Sequence, residues 1–296
     1  MAQMVKALEL RTSFRARLHG LHVVSRRSHA SHQVGPRRSR QRGSAIEFAD
    51  YRRYSPGDDV RQIDWNVYGR SDRLFIKLRE AEEALGVYIL VDGSGSMDRG
   101  ADNKLQCAKE LAAALAYVAL SDGEAATVAG FGDHMGEVAS GVGPLQIERV
   151  LEFLERMEGP GETSFEVSMR EFAARRVPTG VLFLISDLMS RDWLRGLGAL
   201  GEMGHEVVVI HVLDREEDIS PAVGDDVELV DCETGRKLVI AGEARPEELY
   251  ERNLHAWLED IRGACARSRM RYLAVETESP VEEFVLRRMR AVKVLA

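Results

Sequence analysis

Cysteine is scarce in this 296-residue chain: Cys107, Cys232 and Cys265 are all it has. An odd number of widely spaced thiols builds neither a disulfide framework nor a CxxC metal site, so a reducing, cytoplasmic compartment is the expectation. Long hydrophobic runs are missing as well. No stretch approaches the ~20 consecutive apolar residues that span a bilayer. Phosphate-cradling loops are also absent. Neither G-x-x-x-x-G-K-[ST] nor a strand-linked G-x-G-x-x-G occurs, so nucleotide binding has no support. No repeat of 20–50 residues is visible.

Acids are nearly absent from one region. Residues 1–43 hold nine arginines and Lys6 against Glu9 alone, a charge of +9. The formal total of −8 therefore leaves −17 for residues 44–296. A patch for nucleic acid or anionic lipid is one reading of this segment. The preferred reading is a basic arm that packs on, or is solvated next to, an acidic body, because charge runs usually serve solubility. His19, His22, His29 and His32 fall in the same arm, without the cysteines or carboxylates that would complete a metal site.

What is present has the composition of a soluble globular protein, 45% hydrophobic and 30% charged. From residue 86 short apolar runs alternate with helical patterns. "GVYILVD" (86–92) is a continuous apolar run ending in an acid, as in a strand buried on both faces. A helix follows over 104–120, then strands at 126–131 and 136–142, the latter an edge strand closed by Gly143-Pro144. Helices over 146–157 and 165–176 precede "GVLFLISDL" (180–188), which repeats the first pattern of apolar run and acid. A helix at 191–203, a strand at 206–214 and a hairpin over 226–240 come next. A helix begins at Pro246, with Tyr250, Leu254, Trp257, Leu258, Ile261 and Cys265 at three- and four-residue steps. A last strand (271–277) and a helix opened by Pro280 complete an α/β pattern with a mainly parallel sheet.

In open parallel sheets ligands sit beyond the carboxyl ends of the strands. Two strands end there in aspartates, Asp92 and Asp187. The first opens the loop "DGSGSM", a D-x-S-x-S array of Asp92, Ser94 and Ser96, with Gly93 and Gly95 permitting a tight turn. Oxygen-bearing side chains on one short loop suit a hard cation such as Mg²⁺. Carboxylates ~6 Å apart repel by roughly 3 kcal/mol at an effective dielectric near 20, and a divalent ion relieves this. Thr163, in "GPGETS", offers another hydroxyl. Sharper alternatives fail at these residues. A D-x-D phosphoryl-transfer site needs an acid where Ser94 stands, and a G-x-S-x-G nucleophile elbow needs glycine where Asp92 stands.

Asp92-x-Ser94-x-Ser96, Thr163 and Asp187 in this order resemble the metal-ion-dependent adhesion site of von Willebrand factor A domains. Upstream, "YSPGDDVRQIDW" followed by "GRSDRLFIK" and Glu80, Glu82 and Glu83 is similar to the signature of a bacterial family with that fold, the domain-of-unknown-function-58 family. The resemblance implies a six-stranded, mostly parallel sheet flanked by helices, with one short antiparallel edge strand and an N-terminal extension. The domains would be a basic arm (1–43), a signature segment packing on the core (44–85) and a von Willebrand factor A-like domain (86–296). The resemblance also implies a divalent cation, Mg²⁺ or Mn²⁺, and pairing with a MoxR-type AAA+ ATPase. Many members carry N-terminal membrane helices, which this sequence lacks.

The signature segment alternates in sign through Arg52, Arg53, Asp58, Asp59, Arg61, Asp64, Arg70, Asp72 and Arg73, with Tyr54, Trp65 and Tyr68 interleaved. It reads as a docking surface or, more economically, as a scaffold in which Trp65 packs and the charges pair. Acids nearly as numerous as the bases argue against nucleic acid there. His134, His205, His211 and His255 read as packed or solvated residues rather than catalysts, and Asp133 as a weak candidate for the metal's surroundings. The leading expectation is a non-enzymatic module that takes a partner's Asp or Glu at a metal. The alternatives are a metal-assisted hydrolase or phosphatase at Asp92 and Asp187, which lacks an evident base beyond Glu162, or anionic-surface binding through the arm. A −17 body opposes an incoming carboxylate. Either basic residues near the site screen that field, or the partner brings a basic surround.

Overall fold

The computed structural model describes residues 11–26, 51–55, 58, 60, 63–77, 84–98, 103–158, 164–214, 227–230, 237–240 and 246–296. The chain divides into two compact units, residues 1–26 with 84–296 and residues 27–83. The expected arm of residues 1–43 is thus split at Arg26.

Residues rich in Val, Ile and Leu form the main-sheet strands of the larger unit. These are β3 (Gly86–Asp92), β4 (Ala125–Phe131), β5 (Met135–Val142), β6 (Val181–Ser186), β7 (Glu206–Leu213) and β10 (Arg271–Glu276). They make one six-stranded sheet in the order β10-β7-β6-β3-β4-β5. All neighbours are parallel except β5, which pairs antiparallel with β4 at the edge. This is a mixed α/β sheet of Rossmann-like arrangement. The order reverses between β3 and β6, so both crossover directions leave a crevice at the carboxyl ends of these two strands.

Side chains alternate between the two faces of each central strand, and helices cover both. On one face Val87, Ile89, Val91, Phe183 and Ile185 pack under α3 (Lys104–Ser121) and α4 (Ile147–Arg156). The alanines of α3 (Ala108, Ala112, Ala113, Ala114, Ala116 and Ala119) are buried, and their small size lets the helix lie close to the sheet. On the other face Tyr88, Leu90, Leu182 and Leu184 pack with α5 (Phe165–Ala174), α6 (Trp193–Glu202) and α7 (Pro246–Arg267). Val281–Glu283 (α8) runs on into a π-helical turn over Phe284–Met289, where the longer turn keeps Phe284, Val285 and Met289 all buried.

Residues 11–26 are built into this unit. Helix α1 (Thr12–Leu18) buries Phe14 and Leu18 in the α3 face. Val23 bridges Leu295 antiparallel, with His22 and Ala296 exchanging backbone bonds of 3.1 Å. Arg17 pairs with Glu282, Arg15 with Glu148 at 3.3 Å, and Ser25 donates to Glu206 at 2.6 Å. This part of the arm is held mainly by apolar burial, and its arginines meet specific acids of the body.

In the smaller unit β1 (Tyr51–Arg53) pairs antiparallel with β2 (Phe75–Lys77), and α2 (Trp65–Ser71) lies between them in sequence. Its signature acids have local structural work. Asp58 accepts from the Ser55 amide at 2.8 Å and closes a turn, while Asp64 caps α2 by accepting from the amides of Asn66 and Val67. Trp65 departs from the scaffold expectation. It is 63% exposed and meets Tyr68 edge-on with ring centroids 6.1 Å apart.

The remaining strands, β8 (Val227–Val230) and β9 (Lys237–Ile240), pair antiparallel as the expected hairpin.

Candidate metal centre

Strands β3 and β6 are hydrogen-bonded neighbours, so their ends bring Asp92 and Asp187 to one place. Asp92, Ser94, Ser96 and Asp187 are all buried there, between 1% and 7% exposed. Four of the five expected ligands therefore sit at the carboxyl edge of the sheet. Thr163 lies outside the described residues.

The β3 loop turns at once. The Ser94 amide donates to Asp92 Oδ1 at 2.9 Å, and the Ser94 and Ser96 hydroxyls lie 3.0 Å apart. Gly93 serves close approach rather than an unusual φ. Its amide donates to the Phe131 carbonyl at 2.8 Å, and a Cβ there would press on the Glu158 carbonyl at 3.3 Å. At the β6 end the Ser186 hydroxyl donates to Asp92 Oδ2 and accepts from the Leu188 amide at 2.8 Å. Leu188 holds a left-handed conformation, φ 54°, although it is a buried leucine. Backbone strain of this kind costs about 1–3 kcal/mol and persists only where surroundings over-determine it.

Three side chains absent from the expected ligand set complete the site. Ser186 is the first. The second is Lys104, 3% exposed at the first turn of α3, whose Nζ lies 2.8 Å from Asp187 Oδ2. The Met189 amide takes Asp187 Oδ1 at 3.1 Å. The third is His211 on β7, fully buried, with Nε2 2.9 Å from the Asp187 carbonyl and Nδ1 2.8 Å from the Tyr272 hydroxyl. A carbonyl only accepts, so Nε2 carries the proton and Tyr272 donates to Nδ1. A hydroxyl next to a strand-end acid was visible as Ser186-Asp187. Lys104 had only one local sign, a cation in the first turn of a helix, where acids are favoured.

The electrostatics differ between the two acids. Burial, then the neighbouring Asp187 charge, pushes the Asp92 carboxyl up to about 7, against the hydrogen bonds from Ser186 and Ser94. Among the described residues no ion pair neutralises Asp92. Burial pushes His211 down to about 4, so the imidazole is neutral across the physiological range.

The donor set fits a hard divalent cation. Its side-chain ligands are carboxylates and hydroxyls, and among the described residues no cluster of three His, Cys, Asp or Glu competes with them. Asp92, Ser94, Ser96 and Asp187 are the residues that would hold it, and the buried charge of Asp92 is what it would offset.

Two clefts flank the sheet ends differently. A cleft of ≈ 270 Å³ opens beside Gly93, lined by Phe131, Phe153 and Met157 with Asp133, His134 and Arg156 among its polar groups. A larger one, ≈ 440 Å³ between α5 and α6, includes His205, which accepts from the Gly180 amide at the amino end of β6. It is at the wrong end of the sheet for this chemistry. Exposed His134 pairs with Glu171 at 2.8 Å, and His255 is exposed on α7, so neither reaches the acids.

A six-stranded α/β sheet with buried aspartates and serines gathered at its strand crossover defines a class; the sequence comparisons narrow it. The family model described as "Protein of unknown function DUF58" matches residues 50–255, and the chain belongs to that family. Uncharacterized proteins of Mycobacterium tuberculosis and Mycobacterium bovis are 32% identical over 201 residues, 65% of this chain. The chain matches 62% of the length of those relatives. Among solved structures, an aerotolerance-related membrane protein from Bacteroides fragilis is 15% identical at a TM-score of 0.43, covering 71% of this chain and 98% of that one. The pilus adhesin SpaC from Lactobacillus rhamnosus is 13% identical at 0.41, covering 73% of this chain and 30% of that one.

Proposed function

We propose that the chain is a non-enzymatic, metal-dependent interaction module that captures a partner's Asp or Glu side chain. The observation carrying this reading is the buried Asp92 carboxylate, ringed by the Ser94 amide and the Ser186, Ser94 and Ser96 oxygens, with Asp187 beside it. Bound Mg²⁺ or Mn²⁺ would supply an open coordination position for an incoming carboxylate. Ser94 and Ser96 add no charge, so the ion keeps enough positive field to attract that group. Thr163 is the further hydroxyl proposed for the same set. The cleft beside Gly93 gives the chain next to the captured acid an apolar floor at Phe131, Phe153 and Met157.

By family resemblance, the partner proposed is a MoxR-type AAA+ ATPase, in assembly, remodelling or metal insertion of client proteins. A cytoplasmic location goes with that reading, and no described helix is long and apolar enough to cross a membrane. The test is capture of a purified MoxR-type ATPase from the same organism, in Mg²⁺ and in excess chelator. Capture should need the metal and vanish in Asp92→Ala, whose circular dichroism spectrum stays that of the wild type. Capture unchanged in chelator would sink the reading.

A further inference from the structure

Lys104 occupies a position that electrostatics disfavours twice. It stands in the first turn of the 18-residue α3, whose positive dipole end repels a cation, and its side chain is buried. A buried ammonium persists where it is paired, and here Nζ is 2.8 Å from Asp187 Oδ2. With the Met189 amide on Asp187 Oδ1, the Ser94 amide on Asp92 Oδ1 and the Ser186 hydroxyl on Asp92 Oδ2, each carboxylate oxygen has a donor. The two acids are thus hydrogen-bonded and half neutralised by the chain itself.

We propose that Lys104 is a tethered counter-cation that competes with the divalent ion for Asp187, so that metal loading displaces its ammonium from that carboxylate. This rests on the reading that the site takes a divalent cation. An ammonium and a doubly charged ion against one buried carboxylate repel strongly at low dielectric, so only one is fully seated. The flexible four-carbon stem of lysine lets the head group leave without moving α3. The site then has two states: closed on its own cation, or loaded and open to a partner carboxylate. The same residue supplies the local screening that the −17 body calls for.

The experiment is Mn²⁺ binding to the full chain at one pH and ionic strength, by calorimetry and by the electron paramagnetic resonance of free Mn²⁺. Lys104→Met keeps an unbranched, flexible side chain, one atom shorter, and removes its charge. It should bind Mn²⁺ at least tenfold more tightly than wild type, and lose that binding when Asp187→Asn is added. Binding by Lys104→Met where wild type shows none is the limiting case of the same competition and supports it. Equal or weaker binding by Lys104→Met, with wild-type binding intact, overturns the competition and leaves the metal reading standing. No binding by either protein overturns both. A second measurement needs no variant. Reductive methylation with mass spectrometry should find Lys104 protected in chelator and labelled at least fivefold more in saturating Mn²⁺, with exposed Lys293 as the reference. Labelling unchanged while Mn²⁺ binds would also overturn the proposal.

Discussion

Strands β3 and β6 end in the same residue type at the same edge of the sheet, yet the fold treats the two aspartates differently. Asp187 has an ammonium on its carboxylate and a neutral imidazole on its backbone carbonyl. Asp92 has amide and hydroxyl donors, and among the described residues no counter-charge. A carboxylate in the second situation is held in geometry but not in charge, and its proton affinity rises accordingly. The Asp92 side is therefore the half of the site where a cation gains most. The Asp187 side is the half where a cation is already in place.

The largest effect that separates the two sides is on stability in chelator at pH 7.5. Asp187→Asn removes the carboxylate charge 2.8 Å from the buried Lys104 ammonium, and breaking a buried pair from one side costs up to about 3–5 kcal/mol. Asp92→Asn leaves an acceptor for the Ser94 amide and removes a buried charge, so it should cost nothing or add stability. Urea unfolding of the two variants against wild type measures the gap. Equal losses would mean that Lys104 serves both acids alike.

Acid dependence sharpens the comparison further. The Asp92 carboxyl is raised from 3.8 to about 7 on folding, so the fold favours its neutral form. Its contribution is fully present below pH 4 and is lost as pH climbs to about 7. The imidazole of His211 is lowered from 6.5 to about 4. Its contribution is present above pH 6.5 and is lost as pH falls to about 4. The opposing slopes share one window and mask each other in the wild type, each tenfold difference in proton affinity being worth about 1.4 kcal/mol. In Asp92→Asn the Asp92 slope is gone and that of His211 is unmasked, so stability should rise more steeply from pH 4 to 6.5 than in the wild type, and the variant should gain on wild type toward pH 7. A constant offset between the two urea midpoints across this window would show that Asp92 does not titrate there.

Most of the sheet was readable from local pattern because its strands are apolar runs between clear helix and turn signals. "GVYILVD" was expected over 86–92 and is observed there; the helix expected over 104–120 runs to Ser121. The D-x-S-x-S loop was readable for the same reason, since its spacing is local. What escaped depends on pairs far apart in the chain. Lys104 meets Asp187 across 83 positions, and Ser186 meets Asp92 across 94. His211 looked like any histidine in a strand until β7 placed it beside the end of β6. Residues 11–26 were read by their arginines, whereas Phe14, Leu18, Leu21 and Val23 determine where they sit. Trp65 is exposed where packing was the more economical expectation, because a capped two-turn helix carries no local sign of which face is left uncovered.

The smallest expected effect tests the support behind Asp187. His211 donates through Nε2 to the Asp187 carbonyl, so its Nδ1 must accept, and Tyr272 is the donor it meets at 2.8 Å. Tyr272→Phe removes that hydroxyl and keeps the ring, which packs edge-on against His211 with centroids 5.8 Å apart. The hydroxyl's bond to Nδ1 is lost, at a cost of about 1 kcal/mol, together with its contact with the exposed Arg262 guanidinium. Nitrogen NMR of the ring should still report the Nε2–H tautomer, because the carbonyl that selects it is untouched. The asymmetry predicts that Asp187 stays paired with Lys104 in this variant. A loss as large as that of Asp187→Asn would mean instead that the imidazole, rather than the ammonium, is what holds the β6 end in place.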